Sequence, residues 1–201
     1  GPGRRRRAQG LHAGPVNLAD LSSYGFILEP RYWCFGWTRT PRLRLKPAVA
    51  AQLAEARAAL PKGWNFKVWD GYRTYDTQVR MIENFRRRLA CANPHLTEAR
   101  REALVWRYAA KPKRRITRPD SHRTGGAVDL TLVDAQGREL DMGTDHDALV
   151  PEAALAYYEG RRRLTPRERE ARDHRRILAR AMASAGFLRY PPEWWHWGSR
   201  T

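Results

Sequence analysis

Helix-like and strand-like segments alternate along this chain, but without the even rhythm of a doubly wound parallel sheet. The clearest helix spans 47–60, where Ala and Leu recur at helical spacing and Pro47 suits a first turn. The break Pro61-Lys62-Gly63 follows, and Trp64, Phe66 and Val68 then alternate with polar neighbours, as a half-buried strand does, up to the turn-like Asp70-Gly71. Helical periodicity returns over 74–90, with Val79, Ile82 and Phe85 on one stripe, and again over 97–110, where Thr97 stands at a cap position. A basic, proline-punctuated loop covers 111–120. Residues 127–133 read as a strand, and 166–185 as a long charged helix closed by Gly186. Short apolar pieces over 187–197 are separated by Pro191 and Pro192. The pattern predicts an α+β fold, a single domain in which a small mixed or antiparallel sheet packs with helices.

A chain of 201 residues suits one domain with a real hydrophobic core. Its 42% hydrophobic content and eight tryptophans are too apolar for a disordered chain, despite a net charge of +17. Residues 1–20, with the run Arg4 to Arg7, predict a flexible basic arm, leaving 21–201 as the folded unit. Gly1-Pro2 resembles the scar of a cleaved tag, so a native start is expected to be missing, and the compartment, cytoplasm or periplasm, stays open. No apolar run approaches the ~20 residues that span a bilayer. Cys34 and Cys91 fit no CxxC pattern and are expected to be buried free thiols. Thirty-eight basic against 21 acidic residues implies attraction to polyanions, whether nucleic acid, anionic lipid or anionic wall polymer.

Only six histidines are present, and two stand in chemically loaded surroundings. A catalytic zinc site uses about three His or carboxylate ligands and leaves a position for water. In Ser121-His122-Arg123-Thr124-Gly125-Gly126-Ala127-Val128-Asp129, two glycines allow a sharp turn, so His122 and Asp129 can face one point. In Glu193-Trp194-Trp195-His196-Trp197, a carboxylate and an imidazole stand three residues apart, which suits a general base and a ligand. A carboxylate beside indole rings is expected to have a raised pKa. Taken singly, each residue has a plainer reading: a hydrogen-bonded histidine, a solvated acid, a tryptophan cluster in the core or at an interface.

Ser121, His122, Gly125, Ala127 and Asp129, with Glu193 and His196, resemble the SxHxxGxAxD and ExxH motifs of the zinc D,D-peptidases. DGYR at 70–73, AVDLTL at 127–132, LDMGT at 140–144 and GF…EWWHW at 186–197 are similar, in the same order, to those of the VanX-type D-alanyl-D-alanine dipeptidases. The resemblance covers roughly 45–197 and implies the Hedgehog/D,D-peptidase-like fold. It further implies one zinc per chain on His122, Asp129 and His196, and Glu193 as catalytic base. Arg73 would bind the scissile carbonyl oxygen. Ser121 would help hold the substrate carboxylate. Asp147, in preference to Asp145, would receive the free amino terminus.

The implied activity is hydrolysis of D-Ala-D-Ala-type dipeptides by metal-activated water. The alternative within enzymes is a D,D- or L,D-carboxypeptidase trimming peptidoglycan stem peptides, and outside enzymes a basic polyanion-binding protein with a vestigial site. A small D-amino-acid peptide is the expected partner. Contact with anionic cell-wall polymer stays open, and nucleic acid is not expected. Three departures stand out: Asp120 where a second serine is common, His146 where Phe is usual, and the stretch 32–38, which replaces the usual substrate-side segment.

Overall fold

The computed structural model describes residues 17–116 and 118–201. Most of the predicted basic arm, 1–16, lies outside the described residues, but its last two positions do not behave as an arm. Strand β1 (Ala19–Asp20) pairs antiparallel with β3 (Arg44–Leu45), which ties this end of the chain to the domain.

The central sheet has five strands: β2 (Ile27–Leu28), β4 (Asn65–Asp70), β5 (Ala127–Val133), β6 (Leu188–Arg189) and β7 (His196–Gly198), in the order β2-β4-β5-β7-β6. Only β2 and β4 run parallel, so the sheet is mixed, as the α+β expectation requires. Strand β5 is buried along its whole length, and its period of two divides it by chemistry. Val128, Leu130 and Leu132 enter the main core, while Asp129 and Thr131 point to the opposite face. Each fully buried aliphatic side chain of this kind contributes about 1.5–3 kcal/mol relative to exposure.

Two helices cover the core face. Helix α2 (Pro47–Ala58) is rich in the best helix former and starts with proline at its first turn; its buried residues Val49, Ala50, Leu53 and Ala56 recur at one-turn spacing. Helix α5 (Pro166–Ser184) opens with a full capping box between Thr165 and Glu168, and buries Ala171, Arg175, Leu178, Ala181 and Met182 along one stripe. It packs on α2 and β5, and Gln52 Nε2 donates to the Ala185 carbonyl at its end.

The short helix α1 (Arg31–Cys34), α3 (Tyr75–Ala92) and α4 (Glu98–Tyr108) build a second, smaller cluster from Tyr32, Met81, Ile82, Phe85, Leu89 and Val105. Thr74 and Thr97 cap α3 and α4 by accepting from the backbone N–H three residues on. The buried stripe of α3 includes Thr77 and Met81, and Val79 lies at its half-buried flank rather than on it. Cys34 and Cys91 are free, as expected, but both are exposed rather than buried: Cys34 ends the one-turn α1 and Cys91 sits in the last turn of α3. Among the described residues, no helix is long and apolar enough to cross a membrane.

Candidate active site

Three neighbouring strands set side chains in a row. Asp70 of β4 stands opposite Asp129 of β5, and Asp129 stands opposite His196 of β7. The register of β4 slips by one residue between Val68 and Asp70, so Trp69 is the extra residue of a bulge, and it packs in the core. Without that slip Trp69, not Asp70, would face Asp129; bulges commonly re-aim side chains in this way.

His122 reaches the same point from a single 3-10 turn before β5. Gly125 takes a left-handed conformation with φ +73° and closes that turn. A Cβ on Gly126 would overlap the Pro119 carbonyl, so this close approach needs glycine. The turn is held by Arg73 N donating to the His122 carbonyl at 3.0 Å, and the ring by Nδ1 against the Gly71 carbonyl at 2.7 Å. With its proton on Nδ1, His122 turns the Nε2 lone pair inward.

That nitrogen lies 3.2 Å from Asp129 Oδ1 and 3.0 Å from His196 Nδ1, and His196 Nδ1 lies 3.0 Å from Asp129 Oδ1. Three electron-pair donors converge, and only a cation or a shared proton reconciles them. The triangle is close to the edge of roughly 3.3 Å in a tetrahedron whose arms are ~2.0–2.1 Å. His122, Asp129 and His196 are therefore a set that can hold one metal ion. Burial alone would raise the Asp129 pKa, yet the imidazoles of His122, His146 and His196 gathered around it hold it well below the carboxylate range. The other Asp129 oxygen accepts from Arg73 Nη2 at 3.0 Å.

All seven residues singled out in the sequence line one cavity of about 580 Å³: Arg73, Ser121, His122, Asp129, Asp147, Glu193 and His196. Arg73 is buried and donates to Asp70, Gln78, Met81 and Asp129. A guanidinium has five N–H groups, so one on Nη2 is left for a ligand. Loss of solvent, reinforced by the charges of Asp129 and Asp147 and opposed by Arg73, raises the Glu193 pKa well above the usual carboxylate range. The direction agrees with expectation, and so does its leading cause, loss of solvent. Trp194, Trp195 and Trp197 are core residues behind the site, and none lines this cavity.

Asp147 sits at φ +57°, a left-handed conformation that a non-glycine residue adopts only under constraint. Two constraints are visible. Tyr32 donates its hydroxyl to Asp147 Oδ2 at 2.9 Å. From α5, the buried Arg175 reaches the carbonyls of Met142, Glu152 and Ala154, gripping the loop on both sides of Asp147. Arg175 has no carboxylate among these partners, and burial pushes its pKa down to about 10. His146 packs its ring against Trp69, Trp195 and Tyr32, and its Nε2 approaches Asp129 Oδ2 at 3.4 Å. Tyr32, Asp70 and Arg175 were not among the site residues singled out in the sequence. Asp70 lay in a recognised motif, DGYR, and Tyr32 opened the departing stretch 32–38, so both could have been found there.

Known proteins resemble this chain in sequence and in fold. The family model described as D-ala-D-ala dipeptidase (Peptidase_M15) matches residues 39–200. The chain is 31% identical to a D-alanyl-D-alanine dipeptidase of Synechocystis sp., over 90% of this chain and 79% of that one. It is 32% identical to one of Streptomyces coelicolor, over 75% of this chain and 70% of that one. The fold is similar to that of VanYB in complex with D-Alanine-D-Alanine, with a TM-score of 0.57 at 18% identity, covering 94% of this chain and 80% of that one. It is similar too to the vancomycin resistance D,D-pentapeptidase VanY in complex with Zn(II), with a TM-score of 0.50 at 19% identity, covering 79% of this chain and 74% of that one.

Proposed function

Since the chain belongs to the D-ala-D-ala dipeptidase family of M15 peptidases, we propose that it is a zinc-dependent hydrolase of D-Ala-D-Ala-type dipeptides, with one zinc on His122, Asp129 and His196. The observation that supports this most is the donor triangle of those three side chains inside a cavity that Glu193, Arg73 and Asp147 share. The Zn(II) held by the VanY structure of similar fold supports the choice of metal.

When bound, zinc supplies Lewis acidity, lowering the pKa of water and polarising a carbonyl oxygen. Glu193 accepts the proton of the attacking water and returns it to the departing amine; its raised pKa suits both halves of that task. The free Nη2–H of Arg73 stabilises the oxyanion as charge develops on the scissile carbonyl, while the rest of its guanidinium keeps Asp129 oriented. Asp147 receives the substrate ammonium, and Ser121 lies on the wall that meets the carboxylate. A dipeptide carries both charges next to the bond that is cut, so fixed partners for each select by length.

A second reading, a D,D-carboxypeptidase acting on stem peptides, is favoured by the fold likeness to the VanY structures. Release of D-alanine from D-Ala-D-Ala and from a stem pentapeptide, each with zinc and with a chelator, separates the two. Chelator-sensitive release from the dipeptide, faster than from the pentapeptide, is expected. Faster release from the pentapeptide overturns the dipeptidase in favour of the carboxypeptidase. In the same assay Glu193→Ala is expected to retain zinc and lose turnover, and near-normal rates in that variant would refute its role as base.

A further inference from the structure

The cavity receives many basic residues from one stretch of chain, Lys111, Lys113, Arg115, Arg118 and Arg123, and these cations are not equivalent. Lys111, Lys113 and Arg115 are exposed. Arg118 is already committed: its Nε and Nη2 hold Asp120 at 3.2 and 2.9 Å, a hydrogen-bonded pair that keeps the Asp120 carboxyl below its usual pKa. The acid that stands next to Ser121 is thus neutralised by its own loop rather than left to repel an incoming carboxylate.

Arg123 is different. It is half-buried, and it follows His122 directly in the turn that bears the first candidate ligand. Its hydrogen-bond partners are all neutral and all at long range: the Tyr72 hydroxyl at 3.5 Å, the Arg73 carbonyl at 3.3 Å and the Arg114 carbonyl at 3.3 Å. Its Nε is buried and makes no hydrogen bond. A guanidinium withdrawn from water and offered only neutral acceptors is poorly compensated. Its Nη groups, which hold their carbonyl and hydroxyl acceptors only at long range, are the part of the guanidinium left to offer a charge-assisted hydrogen bond to an anion in the cavity that Arg123 lines.

We propose that Arg123 is the residue that receives the C-terminal carboxylate of the substrate, with Ser121 beside it. This deepens the peptidase reading and rests on it. Arg123 and Asp147 then hold the two charged ends of a zwitterionic peptide whose scissile bond lies between them. Lys111, Lys113 and Arg115 add only a diffuse attraction at the rim.

The test compares D-Ala-D-Ala with its C-terminal amide, which lacks the carboxylate, on the full zinc-loaded chain and on Arg123→Gln and Arg123→Lys. For Arg123→Gln, KM for the free acid is expected to rise about 10- to 100-fold, the usual effect of losing a charge-assisted pair. Zinc content and kcat should stay within a few-fold, and KM for the amide should not move. Arg123→Lys keeps the charge but not the spread of Nη–H donors and should fall between; it carries the test if Arg123→Gln does not fold. If acid and amide weaken alike, or neither weakens, Arg123 is only structural and the proposal is overturned. The two failures separate in the unmodified protein. No turnover of the free dipeptide removes the peptidase reading and this role with it, whereas turnover whose preference for acid over amide survives Arg123→Gln removes this role alone.

Discussion

Asp129 and His196 stand on paired strands and His122 on a turn locked to them, whereas Ser121, Arg123 and Asp147 stand outside the strands, on connecting turns and loops. On the strand side, register alone sets the geometry: Asp129 faces His196 because the ladder of β5 and β7 puts them opposite each other. On the loop side, Arg123 and Asp147 are held by contacts from far away in the chain. Tyr32 reaches Asp147 across 115 positions, and Arg175 grips the loop around it from α5. Chemistry and selectivity are thus built by different means, and they should fail differently when mutated.

The largest effect is expected at the strand-borne triangle. His122→Ala should lose zinc and lower turnover by more than ~10³-fold. Asp129→Ala should do the same and also unfold more easily in the presence of a chelator, because the buried Arg73 then keeps Asp70 as its one carboxylate. Breaking a buried pair from one side costs about 3–5 kcal/mol, which denaturant unfolding of the metal-free protein would register. Ser121→Ala, measured alongside, should stay within about 0.5 kcal/mol of the parent. Equal destabilisation by the two changes would erase the distinction between framework and loop.

The same division explains what could be read from the sequence. Strand β5 was legible to the residue, since an apolar run after two glycines has few other folds open to it, and its motif spacing carried the ligands. Helices α2 and α5 were legible, α2 through alanine content and proline at its first turn, α5 through a long charged run closed by Gly186. Strands β1, β2, β3 and β6 were not, because two residues cannot display a period of two. Nor was the bulge at Trp69, which depends on the partner strand. His146 shows the limit in one side chain. Its ring packs among Trp69, Trp195 and Tyr32 as an aromatic residue would, while its Nε2 also meets Asp129, a contact that the residue type alone does not reveal.

A smaller and more selective effect is expected at Asp147. Glycine adopts φ +57° without strain, so Asp147→Gly removes the carboxylate while relieving the backbone. The lost hydrogen bond from Tyr32 offsets the relief, leaving stability within about 1 kcal/mol of the parent. Zinc content should be unchanged and KM for D-Ala-D-Ala should rise about 10- to 100-fold, as for loss of a charge-assisted contact. A KM for the dipeptide that does not move would make Asp147 a bystander and favour the stem-peptide reading.

The smallest effect is expected at Thr165, where the comparison is most exposed to refutation. Thr165→Ala removes the side-chain half of the α5 capping box, in which Thr165 Oγ1 accepts from Glu168 N at 3.2 Å, and should cost about 1 kcal/mol in thermal or denaturant unfolding. Arg175 lies nine positions beyond the first residue of the helix, about 13 Å along the axis at 1.5 Å per residue. Fraying of the first turn therefore leaves its grip on the Met142, Glu152 and Ala154 carbonyls in place. KM, kcat and zinc affinity should all match the parent. If KM for the dipeptide instead rose with the loss of stability, the loop that carries Asp147 would be responding to the whole of α5 rather than to Arg175 alone. Selectivity would then belong to the framework as much as the metal triangle does.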